Sequence, residues 1–218
     1  MIREITFNEY KDLLNEIMLI SPKEQYLHEI FMPVLRMSCP KGVVVVPVFD
    51  DRNTGRKSVS EKDVCHKNHM TNISAVHEDK CVVPDYVFMP AEYTYEKSCD
   101  KGMKDELKPI VMVETKLPKI TKNGKYVPLS KELNKYKIEL EAECAACNGN
   151  LIITDGIMWI FKSNEPKAVE GVCLINSITD SKGNMELKWR TVKNQDTPPT
   201  ELIKTCKAFI ESCTQMMN

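Results

Sequence analysis

IVMVETKLP, residues 110–118, is the stretch on which the reading of this chain turns. Ile110 to Val113 form an apolar run of the kind buried in a sheet, and Pro118, with no N–H to donate, ends the ladder. Glu114 and Lys116 stand between them. Strand side chains alternate, so Ile110, Met112, Glu114 and Lys116 share one face and Val111, Val113, Thr115 and Leu117 the other. At ~3.3 Å per residue the acid and the base lie roughly 7 Å apart on one surface. The strand therefore presents a charged pair at the end of a buried element.

Working outward, CVVPDYVFMP (81–90) reads as the preceding strand and KGVVVVPVFDD (41–51) as the one before it. Residues 52–80 are polar and read as a long loop or excursion, and 91–108 as a charged insertion. Upstream, Phe7, Tyr10, Leu13, Leu14, Ile17 and Met18 recur at helical spacing. Ser21-Pro22-Lys23-Glu24 is a capping-box pattern opening a second helix, with Tyr26, Leu27, Ile30 and Phe31 on its apolar side and Pro33 bending or ending it. Downstream, SKELNKYKIELEAECAACNG predicts a helix carrying Leu133, Tyr136, Leu140 and Cys144 near one face, closed by Gly149. LIITDGIMWIF follows, where Asp155-Gly156 between two apolar runs is a hairpin signal. GVCLINSI and MELKWRTV are candidates to extend the sheet, and Leu202, Ile203, Cys206, Phe209, Ile210 and Cys213 predict a closing amphipathic helix.

The chain's 218 residues suffice for one α/β domain spanning 1–218, with no internal repeat or low-complexity linker. A formal net charge of −1 excludes a global basic footprint, so any nucleic-acid contact must be local. Nine scattered cysteines, a charged helical N-terminus without a signal-like apolar core, and no long apolar window predict a reduced cytoplasmic protein without a membrane span.

Asp85 is the acid of the preceding strand. If the two strands are neighbours, Asp85 and Glu114 converge, and a hard divalent cation relieves the repulsion between such carboxylates. The cation polarises a phosphoryl oxygen and acidifies water, and a lysine beside it offsets transition-state charge, which is the chemistry of phosphodiester hydrolysis.

Pro84-Asp85 on one apolar strand, Glu114-Thr115-Lys116 on the next and the TDG-W hairpin after a helix together resemble the PD-(D/E)xK nuclease superfamily. The stretch NGNLIITDGIMWIFK is similar to the nuclease domain of type I restriction-enzyme motor subunits. The resemblance covers roughly residues 21–162. It implies a restriction-endonuclease-like core, a mixed sheet flanked by helices in αβββαβ order, with an added hairpin and a C-terminal helix. It also implies Mg²⁺ or Mn²⁺ held by Asp85 and Glu114, Lys116 orienting the attacking water, and a glutamate on the helix before the core strands, for which Glu29 is the better match than Glu24. Lys135 and Tyr136 stand where the family carries a polar residue and a tyrosine, but the glutamine of some branches is absent. A role in restriction, phage defence or counter-defence follows by analogy, with nucleic acid as partner (DNA over RNA) and homodimerisation to cut two strands.

From Lys116 to Lys137 seven lysines face one acid, Glu132, a local net of +6. Lys119, Lys122, Lys125, Lys131 and Lys135 are candidates to grip phosphates; a solvated loop is the competing reading. Cys144 and Cys147 form a CxxC without a second pair and read as packing thiols. His66, His69 and His77 with Cys65 read as loop residues rather than a metal site. His28, next to Glu29, points another way on a helix and stays outside the site. The alternative function is a catalytically silent nuclease-fold protein that binds nucleic acid or a protein partner as inhibitor or adaptor.

Overall fold

A computed structural model describes residues 4–20, 22, 24–48, 75–77, 80–82, 84–92, 109–147, 149–163, 170–190 and 200–217. α1 (Phe7–Ile20) starts from a reciprocal capping box that the periodicity did not reveal. The Thr6 N–H donates to Glu9 Oε2 at 2.9 Å, and the Glu9 N–H donates to Thr6 Oγ1 at 3.2 Å. Phe7, Tyr10 and Leu14 are buried, as their spacing predicts. The other expected box, at 21–24, includes Ser21 and Lys23, which lie outside the described residues.

α2 (Glu24–Met37) continues past Pro33, so the proline does not end it; an end was one of the two outcomes the sequence predicted. An interior proline costs a helix about 3 kcal/mol. Here Leu27, Ile30, Phe31, Val34 and Leu35 are all fully buried around it, and each such side chain contributes about 1.5–3 kcal/mol. Packing outweighs the local penalty. The same packing turns Tyr26 outward at 37% exposure, away from the apolar side expected for it.

The central sheet is mixed and six-stranded, in the order β1-β4-β5-β8-β9-β10. Its members are β1 (Val43–Pro47), β4 (Tyr86–Pro90), β5 (Val111–Thr115), β8 (Leu151–Thr154), β9 (Met158–Lys162) and β10 (Glu170–Cys173). All neighbours are antiparallel except β5 and β8. That parallel pair requires a crossover, supplied by α3 (Leu129–Glu132), one 3₁₀ turn (Leu133–Tyr136) and α4 (Lys137–Ala146). The single helix expected over this stretch is thus broken in three. Leu129, Leu140 and Cys147 nevertheless pack with Val87, Met112 and Ile153 on one side of the sheet. On the other side, α1, α2 and α5 (Thr200–Met217) close over Val111, Val113, Ile152 and Trp159.

Two predicted strands differ in extent. The run 81–90 is divided into β3 (Lys80–Val82) and β4, with Pro84 and Asp85 between them, because proline cannot donate to a ladder. β2 (Ala75–His77), within the region 52–80 expected to be loop, pairs with β3, while residues 51–74 and 93–108, all but the first two of the expected 91–108 insertion, lie outside the described set. β10 extends the sheet as one candidate segment suggested. In the other, β11 (Met185–Glu186) instead joins β7 (Lys125–Val127) and β6 (Lys119–Ile120) in a separate three-stranded sheet. Among the described residues no helix is long and apolar enough to cross a membrane.

The β8–β9 turn is buried and ties these parts together. Asp155 Oδ1 accepts from the N–H groups of Ile157 at 3.0 Å and Met158 at 2.9 Å, and its Oδ2 accepts from the Tyr126 hydroxyl at 2.7 Å. Tyr126 in turn accepts from the Leu129 N–H at 3.0 Å. Gly156 has φ +85°, and a Cβ there would sit 3.0 Å from Leu14 and 3.2 Å from Phe31, so only glycine fits. Tyr126→Phe removes one donor from a buried carboxylate and one acceptor from a helix start. Urea unfolding of this variant should show a loss of about 1.5–3 kcal/mol with an unchanged m-value.

Candidate functional site at the end of the central strand

β5 is buried along its whole length, and its end carries the charges. Glu114 is 5% exposed and Lys116 is 6% exposed, with the Lys116 ammonium donating to Glu114 Oε1. The expected sharing of one face therefore holds: Met112, Glu114 and Lys116 all look toward the crossover helices. Lys116 Nζ also lies 3.1 Å from Glu139 Oε2 and 4.9 Å from the centre of the Tyr136 ring. Its N–H donates to Thr154 O at 2.8 Å, extending the β5–β8 ladder one residue and fixing where the side chain departs.

β4 and β5 are antiparallel neighbours, the condition on which convergence of Asp85 and Glu114 depended. The register Tyr86↔Val113, carried one residue further, sets Asp85 opposite Glu114. The Asp85 carboxylate is already engaged: Oδ2 accepts from the Thr115 N–H at 2.7 Å and from the Thr115 hydroxyl. Its Oδ1 lies 3.6 Å from His28 Nε2. So α2 approaches this end of the sheet through His28, which also packs against Tyr86 with ring centres 4.9 Å apart. Glu29 does not take that place. It is exposed on the side of α2 that carries Tyr26, because the burial of Leu27, Ile30 and Phe31 fixes the helix rotation and brings His28 inward.

Two functional candidates absent from the sequence reading come from α4. Glu139 and Glu143 are one helical turn apart, and each places a carboxylate oxygen so that, with one from Glu114, all three lie within 4.8 Å of one another. Glu143 is fully buried, and as carboxylates neither of its oxygens nor Glu114 Oε2 meets a donor among the described residues; the Glu143 and Glu114 carboxyls lie within hydrogen-bond reach of each other, a bond that needs a proton on one of them. The signal was legible in IELEAEC, where Glu139 and Glu143 recur at i, i+4 beside the apolar face, but it needed the helix rotation to have meaning.

These contacts set the protonation. Burial pushes the Glu114 pKa well up, the Glu143 and Asp85 carboxylates add to this, and Lys116 opposes it. Burial likewise raises Glu143, to about 8. For Lys116 burial works downward, but Glu114 and Glu139 outweigh it and hold the ammonium charged.

The lysine run is less free than its composition suggests. Lys119 pairs with Glu132 at 2.9 Å, Lys125 with Asp180 at 3.2 Å, and Lys131 donates to Lys182 O at 3.0 Å. Lys122 is exposed, and Lys135 is exposed with its Nζ 5.1 Å from the centre of the Tyr136 ring. The cysteine pair behaves as packing thiols. Cys147 is buried and its Sγ donates to Asn150 O at 2.8 Å, Cys144 is half-buried, and burial raises the pKa of both thiols. Cys65, His66 and His69, and the His77 side chain, lie outside the described residues.

No protein-family model, curated protein or solved structure matches this chain.

The raised Glu143 pKa has a stability consequence with a definite sign. An acid whose pKa is higher folded than unfolded contributes stability that is present below its ordinary value of 4.5 and lost as pH rises through about 8. In EDTA, the melting temperature should therefore fall between pH 5 and pH 8. Glu143→Gln should flatten this profile and raise the pH 8 melting temperature by about 5 °C. An unchanged slope in the variant would refute the assignment.

Proposed function

We propose that the chain is a divalent-cation-dependent phosphodiester hydrolase with a restriction-endonuclease-like core, acting on nucleic acid and on DNA in preference to RNA. The observation that carries this reading is the buried pair at the end of β5. Glu114 Oε2 meets no donor beside a charged lysine, and the β4–β5 register carried one residue past Tyr86 sets Glu114 across from Asp85, which immediately precedes β4. An orphaned carboxylate oxygen in a buried site fits a hard cation, so Asp85 and Glu114 are the residues that would hold Mg²⁺ or Mn²⁺. Such an ion would supply Lewis-acid polarisation of the phosphoryl oxygen.

The chain's own residues do the rest. Lys116 stays protonated and so acts as a fixed positive charge and donor toward the incoming water and the phosphoryl oxygens, not as a base. Thr115 and His28 hold the Asp85 carboxylate in place from two sides. Lys135, exposed and sharing the Tyr136 ring with Lys116, is the surface cation tied to this end of the sheet, and Lys122 is exposed on the β6–β7 turn. Lys119, Lys125 and Lys131 reach a phosphate only by leaving their present partners, so each contributes less than a free lysine would. A pair of copies would cut both strands of a duplex, and restriction, defence or counter-defence would use such a protein.

One observation favours a second reading, a silent relative that binds nucleic acid or a protein as inhibitor or adaptor. Part of the site is already engaged from within the chain: Lys116 with Glu114 and Glu139, and Asp85 with the N–H and hydroxyl of Thr115. Single- and double-stranded DNA and RNA, incubated with Mg²⁺, Mn²⁺ or EDTA, separate the two. Metal-dependent cleavage should fall at least about 100-fold in Glu114→Ala and Lys116→Ala. Cleavage that survives either substitution overturns the site, and no cleavage by the wild type in any condition selects the silent reading.

A further inference from the structure

We propose that Glu114, Glu139 and Glu143 form a second binding site for a hard divalent cation, on the α4 side of β5. It shares Glu114 with the site proposed above, but it stands on its own observations and requires no nuclease activity.

The first observation is the arrangement. Glu139 and Glu143 project from consecutive turns of α4, and one oxygen from each of the three carboxylates falls within 4.8 Å of the others. Oxygen ligands around a hard divalent ion lie at about 2.0–2.6 Å from it, so oxygens on opposite sides are separated by up to about 5 Å. The cluster therefore has the span of one ion's coordination sphere.

The second observation is what the cluster lacks. Glu143 is fully buried, and its oxygens and Glu114 Oε2 meet no donor from any other side chain or backbone group among the described residues; the two carboxyls come within hydrogen-bond reach of each other, so only a proton or a cation between them can satisfy them. Three carboxylates face the Lys116 ammonium, whose carboxylate partners among the described residues are Glu114 Oε1 and Glu139 Oε2. Burying a carboxylate without donors costs several kcal/mol, so a fold tolerates it only where something else satisfies the group. One proton shared between Glu143 and Glu114 would satisfy two of the three orphan oxygens and leave the third. A divalent cation can bind all three and offset the excess negative charge. Glu139, with a side chain 36% exposed, leads from this cluster to solvent and gives an ion a way in. The donor set is entirely carboxylate, which selects Mg²⁺, Mn²⁺ or Ca²⁺ over thiolate- and imidazole-preferring metals.

The experiment is Mn²⁺ titration of the chelator-stripped full chain, followed by loss of the free-ion electron paramagnetic resonance signal. The wild type should show a class of Mn²⁺ sites that weakens at least tenfold in Glu143→Gln and in Glu139→Gln, and that survives in Asp85→Asn. Glu139 is half-exposed, so its variant tests the site even if replacing buried Glu143 disturbs folding. Titrations of both variants that superimpose on the wild type overturn the proposal, as does a wild type that binds no Mn²⁺ up to millimolar concentrations. A Glu143-dependent site in a protein that cleaves nothing supports this inference while removing the nuclease reading. Cleavage that depends on Glu114 but with Mn²⁺ binding indifferent to Glu139 and Glu143 does the reverse.

Discussion

The desolvation of β5 is the constraint on which this molecule depends. Its five residues are buried, with apolar cores on both sides of the sheet, so an acid and a base at its end cannot be left to water. Each must be answered from within. Lys116 answers Glu114, Glu139 answers Lys116, and the ring of Tyr136 covers the ammonium. Removing one member of such a buried pair typically costs about 3–5 kcal/mol, because the other is left charged and unpaired. Replacing the whole set with apolar residues of similar volume would cost less and is often neutral. An ionic cluster in this position is therefore a weak device for stability, which turns attention to what else the charges do.

A second buried carboxylate, Asp155, shows what full satisfaction looks like in the same fold. It accepts from two backbone N–H groups and a tyrosine hydroxyl, and although burial pushes its pKa up to about 6, these bonds work in the opposite direction. Through Tyr126 it couples the hairpin of the main sheet to the small sheet and to the first turn of the crossover. The crossover in turn decides where α4 lies, and α4 brings Glu139 and Glu143 to β5. Against Asp155, the oxygens of Glu143 and Glu114 Oε2 stand out as buried acceptors that no donor of the described residues answers.

Charge along the chain also takes on a different meaning once folded. The run from Lys116 to Lys137 has a local net of +6 in sequence. In space Glu132 and Asp180 neutralise two of its members, and Lys116 is committed inside. The run therefore offers fewer free cations than its composition implies; Lys122 and Lys135 are exposed without an ion pair to an acid in the described residues.

The sequence alone determined the elements whose logic is local. Alternation placed Glu114 and Lys116 on one face, the Asp155-Gly156 pair marked the hairpin, and the spacing of Leu202, Cys206, Ile210 and Cys213 described a helix whose buried stripe is those four residues. The mixed α/β class followed from the order of these patterns. What depended on rotation and packing was decided only in three dimensions. His28 and not Glu29 meets Asp85, because burial of Leu27, Ile30 and Phe31 sets the helix phase, and adjacent residues on a helix differ by about 100°. Pro33 lies inside α2 because long-range burial exceeds a local penalty of about 3 kcal/mol. Glu139 and Glu143 joined the site because the parallel β5–β8 pair demands a crossover over that face. A sequence pattern states which side chains travel together; only the tertiary contacts state what they meet.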